Sequence, residues 1–573
     1  MRRREFCIAA LGAPLAPRLA AAADGQPQAV ALEDIAIGDD LARRAALNFD
    51  RLESPMYQPP AVFRSESAKS WPGDWEGRAL LGVTLLARST HRHARYLDDI
   101  LRLYPEHFNA QGYFGPVLDP GAIDEQALSG HGWVLRALCE HYEWKRDERT
   151  LGMIDRMVRN LVLPTRGQHA IYPIDPAARK HGGGEAGSLT AQLGNWKLSS
   201  DIGCDFIFLD GVTHAAKVLS SPAIRAVADE MIARFLEVDL VRIKAQTHAT
   251  LTAIRALLRY ADQTGSAQLL KAAEDRYRLY RTEAMTENYE NYNWFGRPQW
   301  TEGCAVIDSF IAATQLWRAT ANPVYLEDAH RIYFNGMGQQ RNNGGFGTDT
   351  CAGARDAFLA ISTFEAYWCC SMRGGEGHAR AIEYAYFARP GELSIPFFYN
   401  SRAKVKLGGG TVEVRQSTGY PYTGSVTLEV VSSTVTDPVL VRFAAPSWTS
   451  GHRLLVRRKT APSSVRNGFV ESRLVLRAGD TLQLDFDLQS GSADALNPGS
   501  IRGYHTFHAG PLLLGCETDA EIKLARNAVL EADGPGAFRV RGSRVRLSRV
   551  NDLSEIKRPS GDKCKRQVMF SEA

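Results

Sequence analysis

The sequence predicts a multidomain protein, mainly α with β, in which an (α/α)6 barrel is followed by a C-terminal β-sandwich. Apolar residues recur with helical spacing from Trp75 to about residue 390. Beyond Phe387 the spacing changes to the alternation of half-buried strands. The 573 residues are too many for one ordinary core, and a content of 44% hydrophobic and 23% charged residues is that of a globular protein.

Three polar turns in the helical region look alike, and each precedes an apolar helical pattern. Asp147, Ser266 and Asn322 stand where helix N-caps are expected. The first interval between them is about twice the second, as in a helical-hairpin repeat that would fit about six times between residues 50 and 390. Six hairpins can close into a toroid of inner and outer helices, and an open helical solenoid is the competing arrangement. The first long helical segment is expected from Trp75 to about Tyr104.

The strand-like segments after Phe387 predict a β-sandwich. Their alternating stretches are 405–407, 411–414, 426–430, 439–443 and 481–486. Glycine-rich turns such as Gly408-Gly409-Gly410 separate them. We therefore predict a barrel domain at residues 24–390 and a β-sandwich domain at residues 391–573.

The N-terminus has the features of an export signal. Arg3-Arg4 precedes a mostly apolar run from Cys7 to Ala16, and the small residues 20–23 follow. A twin-arginine pair before the apolar run predicts a signal peptide at residues 1–23 and a periplasmic or secreted product. That route carries folded proteins, which suits a thiolate-metal site assembled where thiols stay reduced.

The charge balance excludes some partners. The formal net charge is +4, and removal of residues 1–23 lowers it to about +1. A nearly neutral protein has no electrostatic basis for binding nucleic acid. No later segment has the roughly 20 uninterrupted apolar residues of a membrane span. The sequence leaves the oligomeric state open.

One stretch combines metal-ligating residue types. Glu302 and Cys304 form a Glu-x-Cys motif, and Cys369 and Cys370 are adjacent. One carboxylate and three thiolates make a complete tetrahedral ligand set for zinc. Neighbouring cysteines cannot easily pair with each other, because the planar peptide between them holds the sulfurs in poor geometry. A disulfide from Cys304 to one of them, or three ordinary core cysteines, are the alternatives.

These motifs resemble the β-L-arabinofuranosidases of glycoside hydrolase family 127 and their relatives. The similarity rests on Glu302-Gly303-Cys304-Ala305, on Tyr333-Phe334-Asn335-Gly336 and on the Cys369-Cys370 pair. The resemblance implies an (α/α)6 barrel with a β-sandwich and one zinc ion per chain. It also implies hydrolysis of a terminal sugar with retention of configuration, with a zinc-bound cysteine as the nucleophile.

Carried over to this sequence, the resemblance assigns the site residues. Glu302, Cys304, Cys369 and Cys370 match the zinc ligands, and Cys369 matches the nucleophile. Glu287 is our choice for the acid/base residue, with Glu290 as its rival. Two histidines, His131 and His248, match substrate-contacting positions of the family.

The chain also departs from the family's pattern. Residues 371–377 replace a usual Pro-Pro-Asn and are about two residues longer, and they bring in Arg373 and Glu376 as either sugar contacts or a mutual ion pair. Cys351 and Asp349 form a second polar cluster. Several aromatic residues near these motifs could stack on sugar faces or lie in the core: Trp294, Phe295, Trp300, Tyr367 and Trp368.

Two other functions fit the same architecture. A polysaccharide lyase would use a histidine or tyrosine base and release an unsaturated sugar. A non-catalytic glycan-binding protein would keep the zinc for structure alone. All three hypotheses, the glycoside hydrolase, the lyase and the glycan-binding protein, have a carbohydrate as the partner.

Overall fold

The computed structural model describes residues 25–64, 70–179, 189–298, 301–347, 352–362, 365–518, 520–550 and 563–572. The predicted signal peptide therefore lies outside the described residues, as do Trp300, Asp349 and Cys351. None of the helices in these ranges combines the length and the apolar character that a membrane crossing requires.

The helical part is a closed double ring. Its inner helices pack each against the next, and the last returns to the first: Asp74–Thr90, Glu125–Lys145, Asp205–Leu219, Thr247–Thr264, Gly303–Thr320 and Cys370–Glu383. The outer helices alternate with them along the chain: Asp39–Leu52, Leu97–His107, Glu148–Met157, Pro222–Glu237, Ala267–Glu283 and Pro323–Phe334. The predicted (α/α)6 barrel is confirmed, and an open solenoid is excluded by the closure of the ring.

The polar turns act as the sequence predicts. The Asp147 carboxylate accepts a hydrogen bond from the Arg149 amide, and Ser266 and Asn322 cap the outer helices Ala267–Glu283 and Pro323–Phe334 in the same way. The expected single helix from Trp75 to Tyr104 is instead two helices, Asp74–Thr90 and Leu97–His107. His91 ends the first in the left-handed conformation, with φ 55°, and so breaks the helical run.

Strands dominate the chain beyond Phe387. One sheet contains Phe387–Arg389, Glu392–Ile395, Val439–Ala444, Ser464–Arg466 and Phe469–Leu474. The facing sheet contains Ser401–Lys406, Thr411–Thr418, Ser425–Ser433, Thr449–Val456, Lys459–Thr460 and Thr481–Leu488. Burial alternates along Ser401–Lys406, as expected for a strand with one face on the core. The predicted β-sandwich is confirmed, and each sheet also gains a strand from the N-terminal segment: Gln28–Ala29 and Ile35–Ile37.

A third sheet follows the sandwich. Its strands are Ser490–Asp494, Tyr504–Ala509, Leu512–Glu517, Leu530–Ala532, Ala537–Val540, Arg546–Arg549, Lys563–Gln567 and Phe570–Ser571. Phe358–Ser362, which lies between two inner helices in the sequence, pairs antiparallel with Lys563–Gln567. This pairing ties the C-terminal sheet to the loop that precedes Cys369. A small sheet within the helical part joins Ile123–Asp124, Leu189–Leu193 and Trp196–Ser199.

Candidate metal and catalytic site

The predicted ligands converge where two neighbouring inner helices begin. Glu302 is the N-cap residue of the Gly303–Thr320 helix, and Cys369 is the N-cap residue of the Cys370–Glu383 helix. One ligand atom from each of Glu302, Cys304, Cys369 and Cys370 lies within 4.8 Å of the others. The positive ends of two helix dipoles therefore face a group of acidic side chains, which favours their ionised forms.

The sulfur positions fit a metal ion better than a disulfide. Cys304, Cys369 and Cys370 are all free thiols. The Cys304 and Cys370 sulfurs are 3.6 Å apart, and those of Cys369 and Cys370 are 3.4 Å apart. A disulfide requires about 2.05 Å, whereas two sulfurs bound at about 2.3 Å to one tetrahedral ion are separated by roughly 3.8 Å. The donor set and its spacing thus fit zinc.

Without a cation, the three thiols share their protons. Hydrogen bonds from the Cys304 and Cys369 thiols hold the pKa of Cys370 well below its usual range. Donation to Cys304 and Cys370 raises the pKa of Cys369. Burial raises the pKa of Cys304 to about 11. Cys370 is therefore the cysteine that loses its proton most easily, and a thiophilic cation would displace the remaining thiol protons.

The cysteines differ in access to solvent. Cys304 and Cys370 are fully buried, whereas Cys369 is partly exposed. Among the three cysteines, Cys369 is thus the one that is not fully buried. This difference agrees with the assignment of Cys369 as the nucleophile.

His248 lies between two carboxylates. Its Nδ1 is 3.3 Å from Glu302 Oε1 and its Nε2 is 3.1 Å from Asp308 Oδ2. Burial disfavours the charged imidazole, but the neighbouring Glu302 and Asp308 raise the pKa of His248 to about 9. The described contacts of His248 therefore orient Glu302, as outer partners of metal ligands commonly do. The sequence signal that could have pointed to Asp308 is its place as the one acidic residue of the Gly303–Thr320 helix, one turn after Cys304.

His131 is engaged by the backbone. Its Nδ1 donates to the Ala127 carbonyl at 2.6 Å, and its Nε2 accepts from the Phe114 amide at 2.9 Å. Burial lowers the pKa of His131 to about 4, so the ring is neutral. Both ring nitrogens thus have a backbone partner. In the described part of the chain, none of their hydrogen bonds reaches Glu302, Cys304, Cys369 or Cys370, which we call the Glu/Cys group.

Glu287 is held by the C-terminal part of the chain. Its Oε1 accepts from the Asn497 amide at 2.9 Å and from the Ser500 hydroxyl at 2.6 Å, and its Oε2 accepts from the Leu496 amide at 2.7 Å. Burial raises the pKa of Glu287 while these donors lower it. A carboxylate has about four lone-pair sites, so one site on Oε2 remains for another partner. Glu290, the rival, is fully buried in the same loop.

Arg78 touches the cysteine group, which the sequence did not reveal. Its Nη1 donates to the Cys304 sulfur at 3.3 Å, and its Nε donates to the Asp74 carboxylate at 2.8 Å. The guanidinium also lies 4.5 Å from the centre of the Trp133 ring. Arg78 is 226 residues from Cys304 in the sequence, so no local pattern could have paired them.

Arg373 and Glu376 form an ion pair with each other, one of the two alternatives that the sequence leaves open. Both are buried, and Arg373 also bonds Asp308 at 2.6 Å. Arg255 joins the same network through Asp308 and Glu376. Arg373 and Arg255 thus fix the Asp308 carboxylate, which in turn orients the His248 imidazole.

Asp201 is a second residue that the sequence did not single out. It is 5% exposed, and its Oδ1 accepts no hydrogen bond in the part of the chain that the structure describes. Burial, and then the charges of Glu302 and Glu125, raise the pKa of Asp201 to about 7. Like Glu302 and His248, it lies at the N-terminal end of an inner helix.

The aromatic residues separate into two groups. Trp294 and Phe295 are fully buried, so they are core residues and do not form an open stacking surface. Trp368 is 43% exposed and immediately precedes Cys369. Its ring meets the Tyr367 ring edge to face at 5.0 Å. Of the four aromatic candidates that the structure describes, Trp368 is the most exposed.

Fold and site together define a helical toroid with an attached β-sandwich and a buried Glu/Cys3 group at the ends of its inner helices. Residues 392–488 match the family model described as the middle domain of the GH127 β-L-arabinofuranosidases. The predicted resemblance to glycoside hydrolase family 127 is thereby confirmed.

Solved structures extend the likeness to the whole fold. A GH127 β-arabinofuranosidase superposes with a TM-score of 0.72 at 12% identity, over 96% of this chain and 98% of that one. A GH127 β-L-arabinofuranosidase from Geobacillus stearothermophilus T6 gives 0.72 at 14% identity, over 94% and 100%. A third structure, described as a glycoside hydrolase, gives 0.68 at 12% identity, over 96% and 98%. None of the curated protein sequences compared with this chain matches it.

Proposed function

We propose that this protein is a retaining glycoside hydrolase, similar to the β-L-arabinofuranosidases, that removes a terminal sugar from plant-type glycans. The observation that carries the proposal is the convergence of Glu302, Cys304, Cys369 and Cys370 within 4.8 Å. A middle domain of the GH127 type supports the choice of substrate class. The family resemblance supplies the sugar, an L-arabinofuranosyl unit.

The metal of this proposal is one Zn²⁺ per chain. Glu302, Cys304, Cys369 and Cys370 would hold it, and when bound it would keep the cysteine sulfurs deprotonated at neutral pH. The roles of the remaining residues follow from their contacts. His248 fixes the Glu302 carboxylate, and the Asp308 carboxylate fixes His248.

Cys369 is the proposed nucleophile because it matches the family's nucleophile and is the partly exposed one of the three cysteines. In the first step this sulfur forms a bond to the anomeric carbon while the glycosidic oxygen leaves with a proton. In the second step water attacks the same carbon, the carbon–sulfur bond breaks and the sulfur recovers its electron pair. Two displacements at one carbon give net retention of configuration.

Glu287 is the proposed acid/base residue. It would give its proton to the leaving oxygen and later take one from the attacking water. Burial raises the pKa of Glu287, and a raised pKa is the direction that a general acid requires. Glu290 remains the rival, because it lies in the same loop and is also buried.

The test is hydrolysis of p-nitrophenyl β-L-arabinofuranoside, with the product configuration followed by proton NMR. The proposal expects early product with the substrate's anomeric configuration, and no turnover by Cys369→Ala. An inverted early product would contradict the nucleophile assignment. An ultraviolet-absorbing unsaturated sugar, released from a polysaccharide without consumption of water, would instead indicate a lyase.

Export belongs to the same proposal. Residues 1–23 would direct the folded protein through a twin-arginine route to the periplasm or the medium. Fusion of these residues to a reporter protein, with and without Arg3→Lys and Arg4→Lys, tests it. Export that persists without the arginine pair would contradict the twin-arginine assignment.

A further inference from the structure

The Glu/Cys group carries more negative charge than one divalent cation can balance. Three thiolates and one carboxylate with Zn²⁺ leave a net charge of about −2 in a site with little access to water. Cys304 and Cys370 are fully buried and Glu302 is 8% exposed. Buried charge of this size is stable only where hydrogen-bonded cations lie beside it.

Two basic side chains contact the group in the described residues. His248 lies beside Glu302 at 3.3 Å. Arg78 donates from Nη1 to the Cys304 sulfur at 3.3 Å, and its side chain is 6% exposed. An arginine keeps its charge at any physiological pH, so this contact persists whatever the protonation state of the thiols.

The rest of Arg78 is fixed by its surroundings. Asp74, one helical turn earlier, accepts from its Nε at 2.8 Å. The centre of the Trp133 ring lies 4.5 Å from the Arg78 guanidinium carbon, and the Arg373 guanidinium carbon lies 4.4 Å from the same ring centre. The guanidinium is thus held in one orientation, with its Nη1 directed at the Cys304 sulfur.

We propose that Arg78 is a positioning residue of the metal site, a permanent cation whose hydrogen bond to Cys304 strengthens the binding of a thiophilic divalent cation. The inference rests on the metal site of the proposed function. It assigns to the Asp74–Thr90 helix a part in that site, although none of the four ligands lies on this helix.

A purely structural role for Arg78 is the competing explanation, because the ion pair with Asp74 would also stabilise the helix. Arg88 offers a matched control. It lies on the same helix, its side chain is 15% exposed, and it pairs with Glu33 at 2.9 Å and Glu140 at 3.5 Å. In the described residues no hydrogen bond joins Arg88 to a sulfur.

The experiment measures zinc affinity of the full chain by competition with a chromophoric chelator, for the wild type, Arg78→Met and Arg88→Met. Methionine keeps the length of the apolar stem and removes the charge and the donors. Loss of an outer partner of a metal ligand typically weakens metal affinity about 10- to 100-fold, and this is the expected loss for Arg78→Met. Arg88→Met is expected to stay within about threefold of the wild type, because it changes no contact of the ligands.

Cobalt substitution gives a second readout that does not depend on activity. The thiolate-to-cobalt absorption band is expected to shift in Arg78→Met, because Cys304 loses its hydrogen-bond donor, and to be unchanged in Arg88→Met. If Arg78→Met does not fold, Arg78→Lys decides the question. One ammonium cannot serve Asp74 and Cys304 with the geometry of the guanidinium fork, so about three- to tenfold weaker zinc binding is expected.

The outcomes separate the inference from the function on which it rests. The inference about Arg78 would be overturned if Arg78→Met bound zinc as tightly as the wild type and its cobalt band were unshifted. If only Arg78→Lys folds, the same result in that variant would overturn it. Equal losses in Arg78→Met and Arg88→Met would also overturn it, since the effect would then belong to the helix. A wild-type protein that binds no zinc would instead contradict the metal site itself.

Discussion

Replacement of Glu287 by glutamine separates an anchoring role from a catalytic one. The carboxylate accepts three hydrogen bonds at 2.6 to 2.9 Å, from the amides of Leu496 and Asn497 and from the Ser500 hydroxyl. Glutamine has one carbonyl oxygen, so its amide group must face at least one N–H donor. Two donors in contact cannot bond, and the side chain at position 287 is buried.

The expected destabilisation follows from these contacts. Loss of a hydrogen bond to a charged group removes about 1.5–3 kcal/mol, and a buried donor without a partner adds about 1–3 kcal/mol. We therefore expect Glu287→Gln to lower the free energy of unfolding by about 2–5 kcal/mol. Urea unfolding followed by tryptophan fluorescence measures the change. The matched control is Glu283→Gln, an exposed glutamate at the end of the preceding helix, which is expected to change stability by less than about 0.5 kcal/mol.

The same variant tests catalysis. If Glu287 protonates the leaving oxygen, Glu287→Gln should lose far more activity on an alkyl glycoside than on the p-nitrophenyl glycoside, whose leaving group needs little protonation. Wild-type stability in Glu287→Gln would refute the anchoring argument. Equal losses of activity on the two substrates would refute the acid/base assignment and favour Glu290.

Three further predictions concern single side chains. Cys369→Ala should abolish turnover, with kcat at least about 10³-fold lower, yet leave the fold intact because Cys369 is only partly buried. The Asp201 pKa of about 7 lies above its unfolded value of 3.8, so ionisation opposes folding. Below about pH 4, Asp201→Asn should therefore be as stable as the wild type. Its advantage in stability should grow towards pH 7 and reach about 2–4 kcal/mol above that pH, as measured by thermal unfolding across pH. A stability difference that does not depend on pH would contradict the raised pKa. Trp368→Ala should raise KM about three- to tenfold for substrates with a ring-shaped leaving group, and an unchanged KM would exclude stacking there.

The sequence predicted the architecture because its signals are local. Asp147, Ser266 and Asn322 each cap an outer helix through a hydrogen bond to an amide two or three residues away. The alternation of buried and exposed residues along strands such as Ser401–Lys406 is likewise a pattern of residues close in the sequence. The helical hairpins and the sandwich followed from such patterns, while the break at His91 depended on one backbone angle that no periodicity reports.

The parts of the site that the sequence missed are long-range contacts. The hydrogen bonds that Glu287 accepts come from residues more than 200 positions away, and Arg78 reaches Cys304 across the barrel. Aromatic residues near the motifs could not be sorted by sequence, because Trp294 and Trp368 differ in burial and not in local pattern. The adjacent Cys369-Cys370 pair was informative because neighbouring cysteines cannot easily form a disulfide with each other, and this restriction does not depend on the rest of the fold.

The most direct test of the account is the zinc content of the purified mature protein, measured by elemental analysis with a count of reactive thiols before and after chelation. The account predicts about one zinc per chain and three cysteines that become reactive only when the zinc is removed. A protein without metal, whose thiols at Cys304, Cys369 and Cys370 react at once or appear only after reduction, would contradict the metal site and the nucleophile that depends on it.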